Sequence, residues 1–180
     1  MVTILTKSHN LLVLGNTISA MRALGDAGLC RKELLDASIE AGGGLFSRLA
    51  GIVKEHGAGD ETLSRNCCAV LAGFSYMPES HEGLSSEDVM ETLFLTTKSD
   101  DVVTRELVAI TLCNMTTSPG AAERLIRTGV CEIIATLSGA TSESVQELCA
   151  KCICNLTCNP ALHTEIISHG ILQTILLIAL

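Results

Sequence analysis

Residues 145–170, VQELCAKCICNLTCNPALHTEIISHG, contain three features that decide the fold of this chain. An apolar helical run ends in Asn155-Leu156-Thr157, a corner follows at Pro160, and a short segment closes at Gly170. The same three features stand 41 residues upstream, as Asn114-Met115-Thr116, Pro119 and Gly129. Self-similarity at a fixed period of roughly 20 to 50 residues marks a repeat architecture. The stretch therefore predicts a protein built from repeated units.

The register of 41 residues extends over three copies. Apolar residues recur at matching places, as Leu84/Leu125/Ile166, Val89/Val130/Ile171 and Leu93/Ile134/Ile175. Each unit is predicted to hold three helices: a short one before the glycine, a second after it, and a longer third one ending in the Asn-apolar-Thr sequence. Pro119 and Pro160 suit the start of a first helix, where a missing N–H costs nothing. Asp101 and Ser142 suit the N-terminus of a third helix.

Composition supports an all-α fold. Of the 180 residues, 47% are hydrophobic but only 2% are aromatic, so a core must be built from aliphatic side chains, Cys and Met. No stretch shows sustained period-2 alternation with hairpin signals. Three-helix units of about 41 residues cannot bury their own apolar faces, whereas stacked neighbours can. We therefore expect a right-handed α-solenoid, a superhelix of about 3.5 to 4 units over residues 1–58, 59–98, 99–139 and 140–180.

The amino-terminal part carries a weaker version of the pattern. Apolar spacing predicts a helix ending near Gly25 or Gly28, a second one stopped by glycines 42–44, and a third one over Leu45–Val53. A Gly-rich loop at 57–59 follows. Glycine at such places supplies the left-handed conformation that ends helices.

Four segments carry a family resemblance. LCAKCICNLT (148–157) with IISHGI (166–171), and LVAITLCNM (107–115) with LIRTGV (125–130), resemble the armadillo repeat. In that family the third helix ends in Asn-Leu and the first ends in Ile-x-x-Gly. The resemblance covers most of the chain in roughly three and a half units and implies a protein-interaction scaffold without catalytic activity.

The resemblance also indicates candidate contact residues. In armadillo proteins that bind extended peptides, an Asn at the third-helix position of Asn114 and Asn155 hydrogen-bonds the peptide backbone. An amide suits this role because it offers a donor and an acceptor together. The alternative is that each Asn bonds local backbone and tightens its helix end. Neighbouring candidates in the predicted concave groove are Arg105, Ile110, Gln146 and Lys151.

Departures from the family pattern narrow the expected ligand. Peptide-binding members that recognise basic nuclear-import signals place Trp four residues before the Asn, whereas this chain has Ile110 and Lys151 there and no Trp anywhere. Upstream, Gly73 stands at the matching Asn position. Recognition of basic import signals is therefore not expected.

Net charge, apolar runs and cysteine content limit the functions that the chain could have. The net charge is −8 and no block of basic residues exists, which argues against nucleic-acid binding. No apolar run approaches the ~20 residues of a membrane span. Nine cysteines, an odd number, lie mostly within helical runs, so free thiols in the cytoplasm or nucleus are expected.

Other motifs are better explained by the repeat. One helix cannot present Cys149, Cys152, Cys154 and Cys158 convergently to a tetrahedral metal, so no metal or cofactor is predicted. The Asn-x-Thr triplets match glycosylation sequons only because the repeat places them there. No histidine lies in a catalytic motif. We therefore expect a protein or peptide partner, not an enzymatic reaction.

The ends of the chain leave three functional hypotheses. The sequence opens inside an apolar helix and stops at ILLIAL (175–180), so we expect a fragment of a longer array, or packing of the exposed carboxyl-terminal end against further repeats or a partner. The chain would be a groove-binding scaffold, a structural spacer within a larger scaffold, or the substrate-binding module of a multidomain protein such as a ubiquitin ligase.

Overall fold

The structure, a computed structural model, describes residues 1–26, 30–40 and 44–179, and within these ranges the chain forms thirteen α-helices and no strand. The helices are α1 Val2–Lys7, α2 Leu11–Asp26, α3 Arg31–Glu40, α4 Leu45–His56, α5 Glu61–Ser75, α6 His81–Leu84, α7 Glu87–Thr96, α8 Val102–Thr116, α9 Pro119–Arg127, α10 Val130–Ser138, α11 Glu143–Thr157, α12 His163–Ser168 and α13 Ile171–Ala179. Short 3-10 helices, Pro78–Ser80 and Pro160–Leu162, lead into α6 and α12.

The helices form the predicted three-helix repeat. Helices α3–α5, α6–α8 and α9–α11 are complete units, while α1–α2 and α12–α13 supply parts of two more. Third helices α2, α5, α8 and α11 pack side by side in consecutive pairs, and second helices α1, α4, α7, α10 and α13 do the same. The all-α solenoid prediction is confirmed. The predicted divisions near residues 58, 98 and 139 fall in the connections between second and third helices.

The core consists of the aliphatic residues that the register brought together. Leu84, Leu125 and Ile166 are each at most 1% exposed, and they come from the first helices of three successive units. Full burial of such a side chain stabilises the fold by about 1.5–3 kcal/mol relative to its exposed state. Because each unit contributes the same positions, the core continues from one unit into the next instead of closing on itself.

Glycine makes the turn between the first and second helices in three units. Gly44, Gly129 and Gly170 have φ angles of 84°, 92° and 79°, a left-handed conformation that side chains disfavour. The remaining complete unit has no glycine there, and Ser86 precedes α7 with an extended backbone instead. The predicted glycine stops at 28, 42 and 43 lie outside the described residues.

The amino-terminal region differs from the prediction of a single helix there. Helix α1 ends at Lys7, and α2 begins at Leu11 and runs to Asp26, near the predicted end. The side chain of Asn10 separates them, since its Oδ1 accepts hydrogen bonds from the N–H groups of Leu12 at 3.0 Å and Val13 at 3.4 Å. An N-cap of this kind starts a new helix even where the apolar pattern continues.

Predicted helix starts are confirmed. Asp101 accepts hydrogen bonds from the N–H groups of Val103 and Thr104, and the two prolines occupy first-turn positions. Ser142 stands at the N-cap position of α11, as predicted, although its side chain makes no cap hydrogen bond.

No single helix among the described residues is long and apolar enough to cross a bilayer. The pair Pro160–Ser168 and Ile171–Ala179 reaches the required length and composition together, but it is bent by 85°.

Candidate functional site

The side of α2, α5, α8 and α11 that faces away from the second helices is called the third-helix face here. Side chains cross this face from each helix to the next. Arg65 Nε of α5 donates to Asp101 Oδ2 at 2.6 Å, and Ser144 Oγ of α11 donates to Glu106 Oε1 of α8 at 2.6 Å. The amino-terminal halves of the third helices are thus tied together by polar contacts.

Asn114 crosses the face at the opposite end of α8. Its Nδ2 donates to the Ser75 hydroxyl of α5 at 2.8 Å, and the side chain is partly exposed. Within the described part of the chain, Oδ1 and the second N–H of this amide have no partner. Asn114 therefore braces two helices while keeping a donor and an acceptor available.

Asn155 repeats this arrangement one unit later. Its Nδ2 donates to Thr116 Oγ1 at 3.1 Å and to the Cys113 carbonyl at 3.4 Å, both on α8. Across the described residues its Oδ1 accepts no hydrogen bond. Both asparagines bond the preceding repeat rather than their own helix end, and each leaves a carbonyl oxygen unused.

The other four predicted residues lie on the same two third helices, α8 and α11. Ile110 is half-buried one turn before Asn114, and Lys151 is exposed and pairs with Glu147 at 2.7 Å. Gln146 Nε2 donates to the Ala140 carbonyl of its own unit at 3.0 Å. The amide of Gln146 is therefore used within the repeat.

Arg105 stands 41 residues before Gln146, at the same place in its unit. Its Nε is buried and has no hydrogen-bond partner within the described residues. The residue as a whole is only partly exposed.

Gly73 stands where later repeats have Asn, and near it a cation and an aromatic ring lie on the third-helix face. Arg31 Nε lies 3.9 Å from the point where a Cβ on Gly73 would stand, and it donates to the Gly25 carbonyl at 2.8 Å. Its guanidinium carbon is 5.0 Å from the centroid of the Tyr76 ring, which is 58% exposed. Sequence reasoning missed this pair, although Tyr76 is the only tyrosine and directly follows a third helix.

Two histidines hydrogen-bond to backbone carbonyl oxygens at the carboxyl-terminal ends of third helices. His81 is buried, and its ring nitrogens lie 2.7 Å from the Ser75 carbonyl and 2.8 Å from Ser118 Oγ. His163 Nε2 lies 2.8 Å from the Thr157 carbonyl. The two histidines stand 82 residues apart, two periods of the repeat, which is the signal that sequence reasoning overlooked.

Two open clefts flank these helix ends. One, of about 420 Å³, lies between the ends of α8 and α11 and includes Asn155, Thr116 and Cys158 in its walls. The other, of about 410 Å³, lies one unit earlier around His81 and Arg124. A chain lying across the third-helix face at Asn155 would border the first cleft.

The Asp101 carboxylate makes a charged contact with Arg65 on the third-helix face. Burial of Asp101 disfavours its charge, but hydrogen bonds from Arg65 and Thr104 outweigh this and lower its pKa to about 2. The carboxylate is therefore charged at neutral pH and is occupied by these partners.

The buried cysteines behave as core residues. Desolvation raises the pKa of Cys68 to about 12, and the pKa values of Cys131 and Cys149 to about 11. In the described ranges, no group of three His, Cys, Asp or Glu side chains is arranged to hold a metal ion. Cys149 and Cys152 are buried while Cys154 and Cys158 are exposed, so the four thiols diverge as predicted.

Together these features define the class of protein: an α-solenoid with the armadillo-type three-helix repeat. The chain is similar in structure to a designed armadillo repeat protein in complex with the peptide (KR)4, with a TM-score of 0.76 and 18% identity over 96% of this chain and 70% of that one. It is equally similar to computationally designed armadillo repeat proteins for modular peptide recognition, with a TM-score of 0.76 and 19% identity over 94% and 68% of the two chains.

At these identities the likeness shows the shared fold alone. No family model matches the sequence, and no curated protein resembles it closely enough to be recognised.

Proposed function

We propose that this chain is a non-catalytic scaffold that binds an extended segment of a partner protein along the third-helix face. The observation that carries the proposal is the pair of side-chain carbonyl oxygens, Asn114 Oδ1 and Asn155 Oδ1, one repeat apart. An extended segment has backbone N–H groups without internal partners, and these would donate to both oxygens. Reducing compartments, the cytoplasm or nucleus, suit a protein with nine free thiols.

The two asparagines would act differently. Asn114 retains an N–H as well as Oδ1, so it can pair with both the carbonyl and the N–H of a peptide unit. Asn155 Nδ2 already donates to two groups of α8, so Oδ1 is the atom that this side chain would offer to a peptide. Because these contacts involve the backbone, they favour an extended conformation and leave side-chain preference to the neighbours Ile110 and Lys151.

Pre-organisation supports the same function. Each amide is already fixed by its bond to the preceding helix, so little side-chain entropy would be lost when a peptide binds. The designed armadillo proteins named above are described with a peptide ligand or for peptide recognition. Peptide binding is described for those proteins, and we extend it to this chain as a proposal.

A phage-displayed library of random dodecapeptides, selected on the wild-type chain, would supply ligands. Selected peptides are then titrated by fluorescence anisotropy against the wild type and the N114A, N155A and double variants. Loss of one neutral hydrogen bond costs about 1 kcal/mol, so N155A, which removes one bond, should weaken binding about 5-fold. N114A removes two bonds and should weaken it about 25-fold, and the double variant should weaken it on the order of 100-fold.

Gln173→Ala is the matched control, because it truncates an exposed amide on α13, away from the third-helix face. Its affinity for the same peptides should equal that of the wild type, and circular dichroism should show all variants folded. Selected peptides that bind the double asparagine variant as tightly as the wild type would refute binding along this face.

A further inference from the structure

The Arg31 guanidinium borders the place where an asparagine side chain stands in later repeats. Gly73 lies 41 residues before Asn114, and Arg31 Nε is 3.9 Å from the position of a Cβ on Gly73. Glycine has no side chain, so it leaves space on α5 that the Arg31 side chain from α3 borders. At this repeat the third-helix face therefore presents a cation instead of a neutral amide.

Two contacts hold the Arg31 guanidinium without neutralising it. Its Nε donates to the Gly25 carbonyl at 2.8 Å, and its central carbon lies over the Tyr76 ring, 5.0 Å from the centroid. Within the described part of the chain, the two Nη groups donate no hydrogen bond and no carboxylate pairs with them. A guanidinium held in this way loses little side-chain entropy on binding, and its Nη edge matches the two oxygens of a carboxylate.

Two other cations of the third helices already have acidic partners. Arg65 pairs with Asp101 at 2.6 Å, and Lys151 pairs with Glu147 at 2.7 Å. Arg31 forms no such ion pair with the residues that the structure describes. Of these three cations, Arg31 is therefore the one whose charge is available to a partner.

A second guanidinium borders the same small hollow between α2, α3 and α5. Arg22 and Arg31 both line this hollow, together with Gly73. Arg22 Nη1 donates to Asn66 Oδ1 at 2.7 Å, and the exposed Asp26 carboxylate lies 3.7 Å from Arg22 Nε. One carboxylate thus offsets two guanidinium groups, although the whole chain has a net charge of −8. Charges more than about 8 Å away are largely screened at physiological ionic strength, so a ligand here responds chiefly to the local cations.

We propose that Arg31 and Arg22 bind an acidic side chain, Asp or Glu, of the partner segment that lies along the third-helix face. This inference rests on the proposed function, because the same segment would contact Asn114 one repeat away. Packed helices lie about 8–10 Å apart and an extended chain rises about 3.3 Å per residue. The acidic residue should therefore stand about three positions from the residue bound at Asn114.

Repeating the dodecapeptide selection on Arg31→Glu and Lys32→Glu tests the charge preference. Peptides fused to the phage coat protein through their carboxyl termini have no free α-carboxylate, so an acidic preference must come from side chains. The wild type should enrich Asp or Glu at one position, whereas Arg31→Glu should enrich Lys or Arg there. Lys32→Glu is the matched control, because it makes the same charge change at the exposed neighbouring residue, and it should keep the acidic preference. Enrichment of aromatic residues in place of Asp or Glu would assign the site to stacking on Tyr76 and overturn the proposal.

Titration measures the strength of the contact. A selected peptide, amidated at its carboxyl terminus, is compared by fluorescence anisotropy with a counterpart that has Gln or Asn in place of the acidic residue. Hydrogen bonds to charged groups are stronger than neutral ones, so the wild type should bind the acidic peptide about 10-fold more tightly. Arg31→Gln should bind the two peptides equally, and Lys32→Gln should keep the difference. A difference that persists in Arg31→Gln would overturn the proposal.

The N114A/N155A variant separates this inference from the proposed function. Peptides that are weakened by the asparagine substitutions but not by Arg31→Gln would refute the acidic-residue site alone. Peptides that are weakened by Arg31→Gln but not by the asparagine substitutions would support the site and refute the asparagine contacts. A selection that yields no binding peptide would refute both. Binding of basic peptides by Arg31→Glu would also show that this variant is folded.

Discussion

Asp101 joins two helices through one carboxylate. It caps α8 and also accepts a hydrogen bond from Arg65 of α5 at 2.6 Å. Replacing it by Asn should lower the free energy of unfolding at pH 7 by about 1–2 kcal/mol. Its folded pKa, about 2, lies below the unfolded value, so this stabilisation is present above about pH 4 and is lost as pH falls through 2.

Urea denaturation at pH 7, 4 and 2 measures the effect of D101N. Asp100→Asn is the matched control, since Asp100 is the exposed neighbouring carboxylate. The difference between D101N and the wild type should shrink toward pH 2. A difference that stays constant with pH would contradict the assigned pairing with Arg65.

His81 and His163 offer a comparison at equivalent positions. The ring of His81 is buried and bonds to Ser75 and Ser118, whereas His163 is exposed and, among the residues that the structure describes, bonds to Thr157 alone. His81→Leu should cost about 1–3 kcal/mol, because it leaves the buried Ser75 carbonyl without its hydrogen-bond partner. His163→Leu should cost under about 1 kcal/mol, because water can replace its ring. Thermal unfolding followed by circular dichroism would measure both, and equal losses would exclude this explanation.

At the scale of an element, replacing a glycine by alanine should lower the stability when the glycine lies in a turn and raise it when the glycine lies within a helix. Gly129 has φ of 92° between α9 and α10, with open space around its Cα, so Ala there should cost about 1–2 kcal/mol through backbone strain alone. Gly51 lies inside α4, also with open space, and Ala there should stabilise by about 0.5–1 kcal/mol. The urea midpoint should therefore be lower than that of the wild type for Gly129→Ala and higher for Gly51→Ala. Movement in the same direction would contradict the assigned conformations.

Helices and their order follow from the sequence, but cross-repeat contacts do not. The 41-residue register identifies the third helices and the positions of Asn114 and Asn155, because both depend on short-range pattern. The partner of Asn114 is Ser75, 39 residues earlier, and nothing local indicates that bond. Arg31 Nε likewise lies 3.9 Å from the Cβ position of Gly73, a residue far along the chain, and nothing local indicates that approach. Such contacts depend on the tilt between neighbouring repeats, which a single-sequence pattern leaves open.

At the scale of the whole molecule, both ends of the array expose apolar side chains. Leu12 is 79% exposed at one end, and Leu172, Leu176 and Leu177 are 50–63% exposed on α13 at the other. We propose that the exposed apolar side chains of α13 pack against a second copy of the chain. Sedimentation velocity should show concentration-dependent association, with hydrophobic-dye binding, and L172E/L176E should reduce both. Leu95→Glu, an exposed leucine of α7 within the array, is the control and should change neither.

The consecutive pairing of helices also determines how the molecule responds to force. Each repeat contacts its neighbours, so a force applied to the two ends is transmitted through every junction in turn. A small tilt at each junction adds to the next, and the array lengthens elastically while every helix keeps its internal hydrogen bonds.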